Sequence, residues 1–296
     1  MSPLLLPVPR HVNWTEGYCA APDVIITTHN EHLPSEGYQL TIETDRVCIE
    51  HADTIGLRYA HATLDQLIQQ QQVPCGVIED APCFHYRGVM LDCSRDRIPT
   101  RQELSLLLQQ MAAWKMNHLQ LYCEHVIIYK GHENVSPSDG ISLEELTNLE
   151  KEAHALGIEL AANQNCFGHM ERWFRHPAYE RLAELPGDPG HHHRCGCRSP
   201  APSIKEAIQL PCDLIRQQSQ ALSSEIFNIG GDETWDLGKG RSQDLVKTHG
   251  YGQVYSEFLS QIMQAAKAQG KTPAFWADIV LNHPESADVL DHDAIA

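Results

Sequence analysis

Apolar and polar residues alternate along Tyr38-Gln39-Leu40-Thr41-Ile42 and again along Val47-Cys48-Ile49-Glu50, with Thr44-Asp45-Arg46 between the two runs. A period of two puts every second side chain on one face, so the pair reads as a β-hairpin. The period changes between Gly56 and Ile68. There Leu57, Ala60, Leu64, Leu67 and Ile68 recur at helical spacing and predict an amphipathic helix packed on the hairpin. Val73 to Phe84 contains Pro74, Gly76 and Pro82 and reads as a linker, which divides the chain into a small α+β domain over 1–82 and a second domain over 83–296.

From His85 onward the pattern is strand, helix, strand, helix. Buried strands are expected at His85 to Cys93, His118 to Cys123, Ile158 to Asn163, Ile226 to Ile229 and Pro273 to Asp278. Helices are expected from Arg101 to Lys115, where Thr100 and Glu103 form a capping box, and from Ser142, with Glu145, to about His154, where Gly157 ends the helix. Further helices are expected from Ile204 to Leu222, broken at Pro211, and from Val254 to Gln269, closed by Gly270. Residues 186–202 read as a long loop. Repeated βα units of this length indicate an α/β fold with a parallel sheet, as a barrel or as an open doubly wound sheet. No glycine-rich nucleotide fingerprint follows any strand, which favours the barrel. Five such units do not close a barrel of eight strands. The barrel reading therefore expects a fragment, completion by another chain, or a sheet left open.

At 296 residues the chain can bury a large core. Its formal net charge of -17 disfavours nucleic acid and anionic membrane as partners but not a neutral sugar. The start, Met1-Ser2-Pro3-Leu4-Leu5-Leu6-Pro7, lacks the basic residues of a signal peptide, and no apolar run approaches the length of a membrane span. The ten cysteines are scattered singly, several of them in apolar strand-like runs (Cys93, Cys123, Cys166), and read as reduced thiols of a cytoplasmic protein.

The stretch with the most chemistry is Glu225-Ile226-Phe227-Asn228-Ile229-Gly230-Gly231-Asp232-Glu233. A buried strand breaks at two glycines and delivers two adjacent carboxylates, Asp232 and Glu233, at the strand end where α/β barrels keep their chemistry. Two carboxyl groups are also the minimal equipment for cleaving a glycosidic bond. A solvated Asp-Glu pair is the plainer alternative, made less apt by the strand and glycines before it. Trp235, Lys239 and Arg241 follow in a loop that is either a pocket rim or solvated. His191-His192-His193-Arg194-Cys195-Gly196-Cys197 is too tightly spaced for the usual zinc pairs, so no metal is expected.

Three motifs carry a family resemblance: Tyr86-Arg87-Gly88-Val89-Met90-Leu91-Asp92-Cys93-Ser94-Arg95, Asn165-Cys166-Phe167-Gly168-His169 and Ile229-Gly230-Gly231-Asp232-Glu233. With them the chain, from about Tyr38 to Asp278, resembles glycoside hydrolase family 20, the β-N-acetylhexosaminidases, in the branch where a small α/β domain precedes a (β/α)8 barrel. The resemblance implies substrate-assisted retaining hydrolysis of terminal β-linked GlcNAc or GalNAc, in which the 2-acetamido oxygen attacks its own anomeric carbon, with no cofactor. It implies Asp232 as the carboxylate that orients the acetamido group and Glu233 as the acid/base, so the two neighbours need unlike protonation. It implies His169 as the histidine that holds the acid, together with Glu124 or its neighbour His125 where many relatives have Asp-Asp. Arg87 is implied to grip sugar hydroxyls, a structural ion pair being its alternative. Trp276 is implied to wall the acetamido methyl, with barrel core as its alternative, and Asp278, two residues on along the same strand face, to bind sugar or cap the strand. The expected partner is a β-linked amino-sugar glycan. Oligomeric state is left open, a homo-oligomer being compatible with the chain. A second function class is an amino-sugar-binding protein or fragment without turnover, since the family's aromatic box needs residues from later strands. A third, a hydrolase with two aspartates, is disfavoured by the Asp-Glu order.

Overall fold

The computed structural model describes residues 3–71, 73–95, 97–187 and 198–296. The loop carrying His191 to Cys197 lies outside the described residues. The chain divides into two compact units, one of Met1–Gly88, Gln102–His118 and Ala153–Ile158, the other of Val89–Arg101, Leu119–Glu152 and Glu159–Ala296.

The first unit holds β1 (His11–Tyr18), β2 (Ile25–His29), β3 (Tyr38–Ile42), β4 (Val47–His51), α1 (Thr54–Gln69) and β5 (Pro74–Asp80). They form a sheet of order β1-β5-β3-β4-β2. The expected hairpin is β3 and β4, paired antiparallel from Tyr38 opposite His51 to Ile42 opposite Val47. Leu40, Ile42, Val47 and Ile49 pack with Leu64 and Leu67 of α1, so the two hydrophobic periods meet in one core. The expected linker over Val73 to Phe84 is a correction: it contains β5, which pairs with both β1 and β3. Pro74 opens the strand, where its missing N–H costs least. Gly76 has φ +154, and a Cβ there would lie 2.4 Å from the Asn13 carbonyl oxygen, so the glycine marks a close approach of β1 rather than a loop. Strands β1 and β2 escape the sequence reading because their side chains are mostly exposed and carry no apolar alternation.

The remaining elements are β6 (Gly88–Asp92), α2 (Arg101–Ala113), β7 (His118–Tyr122), β8 (Ile127–Ile128), β9 (Ile141–Ser142), α3 (Leu143–Ala155), β10 (Glu159–Phe167), α4 (Glu171–Phe174), α5 (Gln209–Ala221), β11 (Ile226–Gly230), α6 (Gln243–His249), α7 (Tyr251–Ala268), β12 (Thr272–Ala274) and α8 (Asp278–Asn282). Five strands form a second sheet of order β6-β7-β10-β11-β12, which follows the chain with a helix in each crossover. The β10–β11 and β11–β12 pairs are parallel. An order that never reverses is that of a barrel wall, not of a doubly wound sheet with a switch point. The wall is driven by burial: all five residues of β11 and all but the first of β10 are buried.

The expected capping box at α3 is present, with Ser142 N–H donating to Glu145 Oε2 at 2.8 Å and Glu145 N–H donating to Ser142 Oγ at 3.1 Å. Gly157 (φ +75) and Gly270 (φ +75) stand just past α3 and α7 in the left-handed conformation that ends a helix. Pro211 does not break a helix. It is the third residue of α5, in the first turn, where the missing N–H would have no helical partner anyway.

In the first unit Asp53 caps α1. Its Oδ1 accepts from the N–H of Ile55 at 3.0 Å and Gly56 at 2.8 Å, and its Oδ2 from Glu36 N–H at 2.8 Å. Burial opposes the charge on Asp53, but the three donors outweigh it and hold the carboxyl below its usual range. A depressed carboxyl contributes stability above its unfolded value and loses it as pH falls through the folded one. Asp53→Ala is expected to lose about 1 kcal/mol in urea unfolding at pH 7. The deficit should shrink below about pH 4; a deficit independent of pH would contradict the capping role.

Candidate active site

Strand β11 delivers the acid pair through backbone that only particular residues tolerate. Gly230 and Gly231 have φ +73 and +98, and a Cβ on Gly230 would lie 2.2 Å from Asn165 Oδ1. The turn is pinned on both sides. Gly231 N–H donates to the Phe167 carbonyl at 3.1 Å, and Tyr255 Oη donates to the Gly231 carbonyl at 2.8 Å. Glu233 itself has φ +50, a strained value for a residue with a side chain, and its N–H donates to Asp278 Oδ2 at 3.2 Å.

Strand β10 ends in a matching turn. Gly168 has φ +81 and lies so close to Asp232 that an added Cβ would come within 2.1 Å of the Asp232 carbonyl oxygen. His169 follows at φ +49 and is 5% exposed. Its Nε2 lies 3.2 Å from Asp232 Oδ2 and 3.4 Å from Glu233 Oε2, while Nδ1 lies 3.7 Å from Glu124 Oε1. One imidazole, at the end of β10, thus faces three carboxyl groups from the ends of two other strands, β7 and β11. Burial acts against its charge, but the hydrogen bond and charge of Asp232, with help from Glu124 and Glu171, raise His169 above its ordinary value.

Glu124, just past β7, is buried. Its Oε1 accepts from Tyr122 Oη at 3.0 Å, and its N–H donates to Ser94 Oγ at 2.8 Å. Burial, and next the charge of Glu171, push its carboxyl above the usual range despite His169, Tyr122 and Arg95. His125, the alternative at this position, is turned elsewhere and makes no contact with His169 among the described interactions; Glu124 makes it.

Two residues join the cluster that sequence reasoning did not single out. Arg95 lies 2.7 Å from Asp92 and 3.5 Å from Glu124, with its guanidinium over the Tyr122 ring. Arg198 lies 3.2 Å from Glu233 Oε2, with its guanidinium over the Trp235 ring. Asp236 fixes that second arginine by accepting from the N–H of Arg198 at 2.8 Å and of Ser199 at 2.9 Å and from Ser199 Oγ at 2.6 Å.

Arg87 is placed differently from the expectation. It precedes β6, at the strand's N-terminal end, and its guanidinium is taken up by Glu36 at 2.7 Å, Tyr59, and the carbonyls of Phe84, His85 and Lys115. It is a structural ion pair, formed with Glu36. Arg95, at the C-terminal end of the same strand, is the arginine of the carboxylate cluster, and that end is where barrel chemistry collects. Trp276 and Asp278 are also corrected, since β12 ends at Ala274 and neither lies on a strand. The chain turns at Ala277 (φ -93, ψ 11), and Asp278 opens α8. Trp276 is 41% exposed and its N–H donates to the Gly230 carbonyl at 3.0 Å, beside the end of β11; Trp235 is 45% exposed.

The cluster has spare acceptors. Asp232 Oδ1 and Asp278 Oδ1 are buried without a hydrogen-bond partner among the described residues. Buried oxygens of this kind are costly unless a ligand donor meets them.

Residues 7–81 match the profile of glycosyl hydrolase family 20, domain 2, and residues 84–126 that of the glycosyl hydrolase family 20 catalytic domain. Both matches to family 20 profiles lie within the first 126 residues of the chain. Among curated proteins it is similar to the beta-hexosaminidase of Akkermansia muciniphila (25% identity, 82% of this chain and 56% of that protein) and to the lacto-N-biosidase of Bifidobacterium bifidum (22% identity, 90% and 25%). Among solved structures it is similar to the family 20 exo-β-N-acetylglucosaminidase of Vibrio harveyi in complex with N-acetylglucosamine (TM-score 0.81, 17% identity, 98% of this chain and 56% of that one). The chain therefore spans about half the length or less of these relatives, and over that span it shares the fold of the solved structure.

Two expectations follow for this site. Gly168→Ala should abolish the close approach to Asp232 and destabilise the chain by several kcal/mol, on the order expected for overpacking plus left-handed strain; unchanged thermal unfolding would contradict it. The His169 imidazole should titrate above about 6.5, so its stabilisation is full below that value and is lost as pH rises through the folded one. Asp232→Asn should lower the midpoint seen by NMR, and an unmoved midpoint would remove Asp232 as the cause.

Proposed function

We propose that the chain carries the catalytic residues of a retaining exo-β-N-acetylhexosaminidase that releases terminal β-linked GlcNAc or GalNAc by substrate-assisted catalysis. The observation that carries the reading is the unlike setting of the two neighbouring carboxylates. Asp232 is held through Oδ2 by His169 and keeps Oδ1 as a buried acceptor without a partner among the described residues. The Glu233 side chain is 38% exposed and is flanked by His169 and Arg198. A fixed acceptor suits the acetamido N–H, whose carbonyl oxygen then attacks the anomeric carbon as the glycosidic bond breaks. A more accessible carboxyl suits proton delivery to the leaving oxygen and later removal of a proton from water. Once Glu233 has given up its proton, Arg198 and His169 lie beside the resulting carboxylate. Asp278, bonded to the Glu233 N–H, holds the backbone from which the acid projects. The exposed rings of Trp235 and Trp276 are apolar surfaces suited to a sugar face. A reducing, cytoplasmic setting belongs to the same proposal, supported by the free, buried thiols of Cys93, Cys123 and Cys166.

The test is hydrolysis of nitrophenyl β-N-acetylglucosaminide and of a natural disaccharide. Glu233→Gln should lose at least about 10²-fold on the disaccharide and less on the nitrophenyl substrate, whose leaving group needs little protonation. Asp232→Asn should lose activity on both. Unchanged turnover of the disaccharide by Glu233→Gln would remove it as the acid, and binding of GlcNAc with no turnover by the native chain would favour an amino-sugar-binding protein.

A further inference from the structure

The segments that carry Glu124 and His169 run directly into a second feature. His125 follows Glu124, and Arg172 and Arg175 lie shortly after His169. With Asn134 and His176 these residues line a pocket of about 340 Å³. Four of its side chains are basic in a chain whose net charge is -17. Both arginines are exposed, and neither guanidinium has an acidic partner among the described residues. They stand three apart at the end of α4, where like charges face each other and repel. His125 Nδ1 is a buried ring nitrogen without a hydrogen-bond partner among the described residues. Ala178 N–H donates to His176 Nδ1 at 3.3 Å, which places the proton of a neutral ring on Nε2 as a donor. Among the described residues one acid acts on His125, Glu171, whose Oε2 is itself buried and has no hydrogen-bond partner there. The arginines outweigh it: burial, then Arg172, with Arg175 in addition, hold His125 below its ordinary value against Glu171.

Uncompensated donors of one sign around a pocket are a site for an anion. We propose that this pocket is an anion-binding subsite that takes an acidic group, a sulfate or phosphate ester or a carboxylate, carried by the glycan whose amino sugar occupies the carboxylate cluster. The glycan part rests on the proposed hydrolase function; the anion part does not. Two planar guanidinium forks match the paired oxygens of such groups, and the imidazole donors complete the set. A family 20 enzyme with this subsite would favour acidic over neutral amino-sugar glycans.

Inorganic sulfate is titrated at constant ionic strength into the native chain and into Arg172→Gln/Arg175→Gln, with binding read from the His125 and His176 NMR signals. Both replaced side chains are solvent-exposed, so the fold is expected to be retained. The native chain should bind sulfate and the double variant at least about tenfold more weakly, since each lost charge-assisted contact is worth roughly that factor. This arm needs no turnover, so failure of the hydrolase reading leaves it intact. In the second arm kcat/KM is compared for a neutral N-acetylglucosaminyl disaccharide and its two monosulfated forms, with the sulfate on either sugar. One sulfated form should be preferred by the native chain, and the preference should vanish in the double variant while turnover of the neutral disaccharide stays unchanged. Sulfate binding that is absent, or equal in both proteins, overturns the subsite. Sulfate binding without preference for either sulfated disaccharide overturns the glycan assignment and makes the pocket a site for a free anion.

Discussion

The imidazole of His169 is the contact on which the candidate site depends. Three carboxyl groups, Glu124, Asp232 and Glu233, lie within 3.7 Å of its two nitrogens. Opposite unit charges about 4 Å apart attract by on the order of 4 kcal/mol at an effective dielectric of about 20. A protonated imidazole gathers the carboxyl groups around it, which is why they draw its proton affinity upward against its burial. Glu124 answers on the far side. Burial and the charge of Glu171 raise its carboxyl above the usual range, while His169, Tyr122 and Arg95 act in the opposite direction.

The backbone is arranged to allow this contact. Two parallel strands, β10 and β11, each end in left-handed turns, at Gly168-His169 and at Gly230-Gly231. The turns touch, since Gly168 leaves room for the Asp232 carbonyl and Gly231 bonds to Phe167. Strain at His169 and Glu233 is retained because the buried strands on either side over-determine it. The outer supports act through loops: Asp236 gathers Arg198 and Ser199, and Asp278 holds the Glu233 amide. The site is built on rigid strand ends and trimmed by loop residues, the division of labour that a barrel wall offers.

What was legible in the sequence was whatever depended on local period and local order. The β3–β4 hairpin, the amphipathic α1 and the strand-glycine-acid run of β11 each carry their signal within a few residues. Strands β1 and β2 do not, because their faces are mostly exposed. The linker reading failed because Pro74 and Gly76 look like loop punctuation when the glycine is in fact where two strands approach. Arg87 and Arg95 lie in one motif, and only the strand's direction separates them, since the first precedes β6 and the second follows it. Arg198 had no signal at all: its place depends on Asp236, 38 residues away. The apolar content of Pro273 to Asp278 reads as one strand through Trp276, but the strand stops at Ala274 and a helix begins at Asp278.

The central claim is that Asp232 is preset to hold a cyclising acetamido group beside the acid Glu233. The most direct test is calorimetric binding of a GlcNAc-derived thiazoline, a stable mimic of the cyclised sugar, to the native chain and to Asp232→Asn. Mimics of a high-energy state bind at least about 10²-fold tighter than the substrate, so the account predicts that margin over GlcNAc for the native chain and its loss in Asp232→Asn. Equal affinity for the thiazoline and GlcNAc, or an affinity untouched by the substitution, would contradict it.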